Sequence, residues 1–126
     1  MERKNISTGS KWEPIIGYSR AVRVGNQVFV SGTTGSDASG KVSGDTYAQT
    51  KQALENISAA LVQAGGTIND VVRTRIFMTD ISTWELAGKA HGEIFGNIRP
   101  ATTMVEVRKL ISPEMVVEIE ADAVIG

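Results

Sequence analysis

The chain has 126 residues, with 13 basic and 14 acidic side chains, a net charge of -1 and no cysteine. This length forms one domain, residues 1–126, and is too short for a second. A near-neutral chain has no general attraction to nucleic acid. Without cysteine, and with one histidine, it has no thiol nucleophile and no metal centre of thiolates or histidines.

The N-terminal sequence Met-Glu-Arg-Lys-Asn-Ile lacks the apolar core of a signal peptide. No stretch of the chain approaches the ~20 apolar residues that are needed to span a bilayer. We therefore expect a soluble cytoplasmic protein with no membrane partner.

The first predicted elements are two strands of a hairpin. Residues 21–24 and 28–32 alternate apolar and small or polar side chains, and Gly25 and Asn26 supply a tight turn between them. The segment from Gly35 to Gly44 that follows is rich in Gly, Ser and Asp, which predicts a mobile loop that could cover a site.

Two helices are predicted from their caps and apolar spacing. Asp45 is a plausible N-cap for the first helix, and Gly65-Gly66 supplies its stop. Ser82 or Thr83 is expected to cap the second helix, which ends near Gly96. The apolar positions at helical spacing are Leu54, Ile57, Leu61 and Ala64 in the first helix and Trp84, Ala87, His91 and Phe95 in the second.

A strand is predicted between the two helices, over residues 71–79, and it carries two arginines on one face. Arg73 and Arg75 are unusual on a strand that is otherwise so apolar. They are expected either to bind an anion or to neutralise Glu106 or Glu118 on neighbouring strands.

The last two predicted strands contain the chain's most informative acids. Glu118 and Glu120 stand two apart in a β-branched run, so both project from one face of a strand. The preceding strand carries Thr102, Met104 and Glu106 on one face, and only a short loop separates the two strands. An antiparallel pair would gather these polar groups into one patch, where we expect the functional site.

The element order β, β, α, β, α, β, β predicts an α+β fold, a single sheet with both helices on one face. The opposite face would be too apolar for open water and too charged for an ordinary core. Association of subunits that leaves shared clefts resolves this conflict, and closed cyclic assemblies are the common form. The expected members of this face are Val71, Arg73, Arg75, Phe77, Glu106, Glu118 and Glu120.

Three segments resemble the RidA/YjgF family of reactive-intermediate deaminases, also labelled L-PSP endoribonucleases. Residues 17–22 (Gly-Tyr-Ser-Arg-Ala-Val) are similar to the family's Pro-Tyr-Ser-Gln-Ala segment, residues 28–32 to its second strand, and residues 117–121 to its closing signature. The resemblance runs from about Gly17 to the C-terminus. It implies a chorismate-mutase-like fold and a homotrimeric barrel with clefts between subunits. The implied activity is cofactor-independent hydrolysis of enamines and imines, such as 2-aminoacrylate, to the 2-oxo acid and ammonia.

The resemblance also assigns roles to individual residues. Tyr18 matches the tyrosine that lines the cleft, Gly32 the glycine whose backbone contacts the ligand, and Glu120 the glutamate that positions the hydrolytic water. Thr102, however, stands where the family has an arginine that holds the substrate carboxylate by two parallel hydrogen bonds. Gly88 stands where many members have an asparagine, so the chain is a divergent member.

The missing arginine leaves two alternatives open. Arg75 replaces it as the cation, with Arg73 and His91 behind it, or the substrate is a larger conjugated enamine acid whose carboxylates lie farther from the reacting carbon. The residues expected to act are Glu120 and Tyr18 in catalysis, and Ser31, Gly32, Arg75, His91, Thr102 and Glu118 in substrate binding.

Three functions are considered. The first is a deaminase of enamine or imine acids that needs no cofactor. The second is a non-catalytic trimer that binds or senses small carboxylates, which Thr102 in place of the arginine favours. The third is an endoribonuclease or translation inhibitor, and it rests only on the family's older label. The chain has no basic stripe, aromatic stacking platform or paired histidines, so no nucleic-acid partner is expected.

Overall fold

The computed structural model describes residues 2–126, which form one six-stranded sheet with helices. The strands are β1 (Arg3–Ile6), β2 (Ala21–Val24), β3 (Gln27–Thr34), β4 (Val71–Met78), β5 (Ala101–Glu106) and β6 (Val117–Val124), and the helices are α1 (Trp12–Ile16), α2 (Thr46–Gln63) and α3 (Trp84–Phe95). The order across the sheet is β1-β2-β3-β6-β4-β5. The α+β prediction is confirmed, although β1 and α1 were not predicted. Within residues 2–126, every helix is too short or too polar to cross a membrane.

Local sequence signals place the hairpin and the first long helix correctly. Val24 pairs with Gln27 across a two-residue turn, in which Gly25 has a φ of 61°, a conformation that favours glycine. The Asp45 side chain caps α2 by accepting a hydrogen bond of 2.9 Å from the Ala48 backbone N–H.

The cap of α3 differs in detail from the prediction. Thr83 stands at the N-cap position, but its side chain makes no capping hydrogen bond. Instead, the Asp80 carboxylate accepts from the Ser82 backbone N–H at 3.0 Å and starts a 3₁₀ turn, Ile81–Thr83, that leads into the helix. The end of α3 at Gly96 agrees with the prediction.

The two long helices cover one face of the sheet. α2 packs on β3 and β6, and α3 packs against α2. Each large apolar side chain that is buried there contributes about 1.5–3 kcal/mol to folding. The largest buried side chains of this core are Leu54, Ile57, Leu61, Ile76, Met78, Phe95 and Ile119.

The predicted pairing of the last two strands is wrong, because β4 lies between them. β4 runs antiparallel to β6 and parallel to β5, and α3 forms the crossover that a parallel pair requires. The loop between β5 and β6 therefore passes the end of β4. At its two ends, Val107 N–H donates to the Met78 carbonyl at 2.7 Å and Thr79 N–H donates to the Val116 carbonyl at 3.1 Å.

Alternate side chains of β5, those of Thr102, Met104 and Glu106, consequently lie on the helix side of the sheet. The Thr102 hydroxyl lies 2.8 Å from that of Thr74, which is fully buried, and Met104 packs against the core. Glu106 accepts a hydrogen bond of 3.1 Å from the Ile81 backbone N–H at the start of the α3 region. The polar patch expected from the sequence is thus divided between the two faces of the sheet.

The face without helices carries both charged and apolar groups, as expected. Phe29, Val105 and Val124 keep 46%, 40% and 39% of their surface exposed on this open face. Two expected members are absent. Glu106 points to the other side, and Val71 is buried because a bulge between Val71 and Arg73 shifts the strand.

Candidate active site

Three carboxylates form a row on the open face of the sheet. Glu118, Glu120 and Asp122 occupy alternate positions of β6, so their side chains project to the same side. In the strand register, Phe29 on β3 and Arg75 on β4 lie opposite members of this row. Asp122 was not among the residues singled out from the sequence.

Arg75 is paired with two of these acids. Its Nη1 lies 3.1 Å from Asp122 Oδ2 and 3.5 Å from Glu120 Oε1. An ion pair was one of the two interpretations of this arginine, but the partners are not the expected Glu106 or Glu118. The side chains are 28–39% exposed, and pairs at such positions contribute about 0–1 kcal/mol. Their charges nevertheless leave Arg75 neutralised.

Glu118 is half-buried and lies directly over Gly32. A Cβ atom on residue 32 would approach Glu118 Oε2 to 2.6 Å, so any larger residue there would displace the Glu118 side chain from this position. Burial raises the pKa of the Glu118 carboxyl above its usual value; the Arg20 charge opposes this rise and the Glu120 charge adds to it. Glu118 therefore keeps its proton to a higher pH than an ordinary glutamate.

Arg20 connects Tyr18 to Gly32 and is a site residue that sequence reasoning missed. Its Nη1 donates to the Gly32 carbonyl and to Thr33 Oγ1, both at 2.8 Å, and its Nη2 donates to the Tyr18 hydroxyl at 3.1 Å. The available signal was an arginine at the position of the glutamine in the Tyr-Ser-Gln segment. The acid cluster, defined as Tyr18, Arg20, Gly32, Glu118 and Glu120, thus lies on the open face.

Ser31 supports this cluster through the backbone. Its hydroxyl donates to the Ser19 carbonyl at 2.6 Å, and its N–H donates to the Arg20 carbonyl at 2.9 Å. The register of β3 against β6 shifts between Val30 and Thr33, which marks a bulge at this point. Ser31 therefore holds the strand end beside the segment that carries Tyr18.

His91 and Thr102 lie on the other face of the sheet. His91 Nε2 is 2.9 Å from Thr74 Oγ1, which in turn is 2.8 Å from Thr102 Oγ1. His91 was expected behind Arg75, and within a single chain the sheet lies between the two side chains. A groove of about 300 Å³ beside them is lined by His91, Gly92, Phe95, Gly96, Arg99, Pro100 and Thr102.

The pKa of His91 in the folded chain is predicted to lie below its unfolded value, because the ring is partly buried. Burial lowers the pKa of this ring, and it is the only histidine in the chain, so its ¹H NMR signals are unambiguous. Its stabilising contribution is complete above about pH 6.5, the unfolded value. It is lost as the pH falls below that value, because the unfolded state takes up the proton first. A folded-state pKa at or above the unfolded value would contradict this prediction. As a control, His91→Gln should remove the part of the pH dependence of stability that comes from this ring.

Comparisons with known proteins agree with the fold and with the sequence segments. The family model described as Endoribonuclease L-PSP matches residues 8–125 of the chain. The chain belongs to the RidA/YjgF family. One solved RidA/YjgF structure, Rv2704 of Mycobacterium tuberculosis from the YjgF/YER057c/UK114 family, has 54% sequence identity and a TM-score of 0.91. The match covers 98% of this chain and 100% of that one.

Two further relatives have lower identity over nearly the full length. A RutC family protein of Pyrococcus abyssi is 38% identical over 125 residues, which is 98% of each chain. RidA from the Antarctic bacterium Psychrobacter sp. has 33% identity and a TM-score of 0.83, with 97% of this chain and 94% of that chain covered. The family and the fold are therefore established over almost all of the sequence.

The two residues that differ from the family pattern that the sequence resembles lie on opposite faces of the sheet. Thr102, in place of the family arginine, is bonded to Thr74 on the helix side. Arg20, in place of the glutamine, lies in the acid cluster on the open face. Relative to the family pattern that the sequence resembles, the chain has a hydroxyl in place of a cation on the helix side and a cation in place of an amide on the open face.

Proposed function

We propose that this protein hydrolyses small enamine or imine acids to 2-oxo acids and ammonia without a cofactor. The observation that carries the proposal is the pair of carboxylates in the acid cluster, Glu118 and Glu120, which occupy different environments. Glu118 is half-buried with a raised pKa, whereas Glu120 lies beside the Arg75 guanidinium. Two acids in different environments, in one cluster, fit the separate roles of proton donor and base.

The chemistry needs a water, a proton for nitrogen and stabilisation of the tetrahedral adduct. In the proposed reaction, Glu120 orients the water and takes its proton as the oxygen bonds to the C=N carbon. Protonated Glu118 supplies a proton to the nitrogen, which gives a carbinolamine. Glu120 then passes the proton taken from the water to the same nitrogen, the hydroxyl proton goes to ionised Glu118 as the C=O bond forms, and the C–N bond breaks with loss of ammonia. The Tyr18 hydroxyl accepts from Arg20, so its own proton is free to donate to the substrate.

We further propose that the site is completed by a second copy of the chain in a homotrimer. Support comes from the open face, where Phe29, Val105 and Val124 are exposed around the row of acids. Apolar side chains in this setting are stabilised when a partner surface covers them. A cleft between subunits would also exclude bulk water from the acid cluster.

The proposal is tested by following ammonia and 2-oxo acid release when 2-aminoacrylate is generated in the presence of the protein. A pyridoxal-phosphate lyase supplies the enamine, and a longer enamine acid serves as a second substrate. We expect the protein to accelerate release above the rate in buffer. An unchanged rate with both substrates would refute the deaminase function.

One observation favours the alternative, a non-catalytic protein that binds or senses small carboxylates. Thr102 offers no cation in place of the family arginine, and its hydroxyl is already engaged with Thr74 and with the Pro100 carbonyl. Calorimetric binding of a small carboxylate without any turnover would support this alternative, and clear turnover would exclude it.

A further inference from the structure

We infer that Arg20 is the residue that binds the substrate carboxylate in this protein. The inference rests on the proposed function and names its specificity residue. It replaces the expectation that Arg75 takes this role.

The other candidates beside the row of acids are already engaged. Arg75 faces two carboxylates, Glu120 and Asp122, so an incoming anion would meet their negative charge as well as the guanidinium. Arg73 Nη2 donates to Thr103 Oγ1 at 2.6 Å. Arg75 is therefore neutralised. Arg73 keeps its charge, but its guanidinium is directed to Thr103 on β5, at the edge of the sheet and away from Gly32 on β3.

Arg20, in contrast, is held in place by hydrogen bonds that use only some of its N–H donors. Its three hydrogen bonds use both Nη1 hydrogens and one Nη2 hydrogen. Nε–H and the second Nη2–H make no hydrogen bond within residues 2–126. In that part of the chain, no carboxylate lies within salt-bridge distance of this guanidinium. Two remaining N–H groups on a fixed guanidinium suit a carboxylate ligand.

Gly32 places Arg20 next to the proposed proton donor. Its carbonyl oxygen accepts from Arg20 at 2.8 Å, and its Cα faces the Glu118 carboxyl. A substrate carboxylate on Arg20 therefore lies beside Glu118.

The experiment compares the binding of pyruvate, the stable 2-oxo product, with that of its neutral amide, pyruvamide, by calorimetry. In Arg20→Gln we expect pyruvate to bind at least about tenfold more weakly, since charge-assisted hydrogen bonds are lost, with pyruvamide binding little changed. The loss of affinity should raise KM for 2-aminoacrylate more than it lowers kcat. Arg20→Lys keeps the positive charge but lacks the paired N–H donors of arginine. Its affinity for pyruvate should therefore lie between those of the unmodified chain and Arg20→Gln.

Arg23→Gln is the matched control. Arg23 lies on β2 and donates to the backbone carbonyls of Gly25 and Ala64, away from the acid cluster, so this variant removes the same charge. It should bind pyruvate like the unmodified chain. Thermal unfolding shows whether each variant is folded. If Arg20→Gln does not fold, Arg20→Lys replaces it in the comparison.

The outcomes separate this inference from the proposed function. Pyruvate binding that depends on Arg20, in a protein without turnover, would support the inference and remove the deaminase function. Turnover with an unchanged KM in a folded Arg20→Gln protein would overturn the inference and leave the deaminase function standing. Equal binding of pyruvate and pyruvamide to the unmodified chain would also overturn it.

Discussion

Glu120→Gln is expected to reduce ammonia release from 2-aminoacrylate by about 10²- to 10⁴-fold, the range for loss of a general base. Glutamine keeps the shape of the side chain but cannot take a proton from the water. The fold should survive the change, because Arg75 retains its contact of 3.1 Å with Asp122 and the lost pair is partly exposed.

The comparison is made by steady-state kinetics on the unmodified chain, Glu120→Gln and a control, Glu55→Gln. Glu55 is exposed on α2, on the helix side of the sheet, so the control removes a carboxylate away from the acid cluster. Circular dichroism and thermal unfolding should give similar curves for all three proteins. A Glu120→Gln protein with the full rate would exclude Glu120 as the base.

Glu118→Gln is expected to change stability and activity in opposite directions. The pKa of Glu118 is raised in the folded chain, chiefly by burial, so the ionised form is less favourable there than in the unfolded chain. This cost is absent below the unfolded pKa and grows as the pH rises through the folded value. Glutamine does not ionise, and the variant should therefore be more stable than the unmodified chain at pH 7.

Its activity should fall by at least about tenfold, because the amide cannot supply the proton for nitrogen. The unmodified chain should lose activity as the pH rises past the raised pKa of Glu118, and the variant should lack this limb of the profile. Urea unfolding at pH 4 and pH 7 measures the stability difference, which should be larger at pH 7. A variant less stable at both pH values would show that Glu118 is structural.

Local sequence signals were sufficient for most of the elements, but not for their pairing. The Gly25-Asn26 turn and the Asp45 cap act between near neighbours, and both were predicted correctly. The place of β4 between β6 and β5 depends on the α3 crossover and on the loop that passes the end of β4. No local pattern encodes that path, so Thr102 was assigned to the wrong face.

The candidate site, too, was predicted from local spacing where neighbours decide the geometry and missed where tertiary contacts do. The two-residue spacing of Glu118 and Glu120 correctly placed both acids on one face. Arg20 was missed because it precedes β2 and reaches Gly32 and Thr33 through the hairpin and its bulge. Hydrogen bonds across such a bulge depend on tertiary geometry, which strand periodicity does not describe.

The most direct test of the account is a crystal structure of the protein with pyruvate bound. We expect the pyruvate carboxylate to lie against Arg20 on the open face, with its carbonyl carbon near Glu118 and Glu120. Pyruvate in the groove beside His91 and Thr102, with the open face empty, would contradict the placement of the active site.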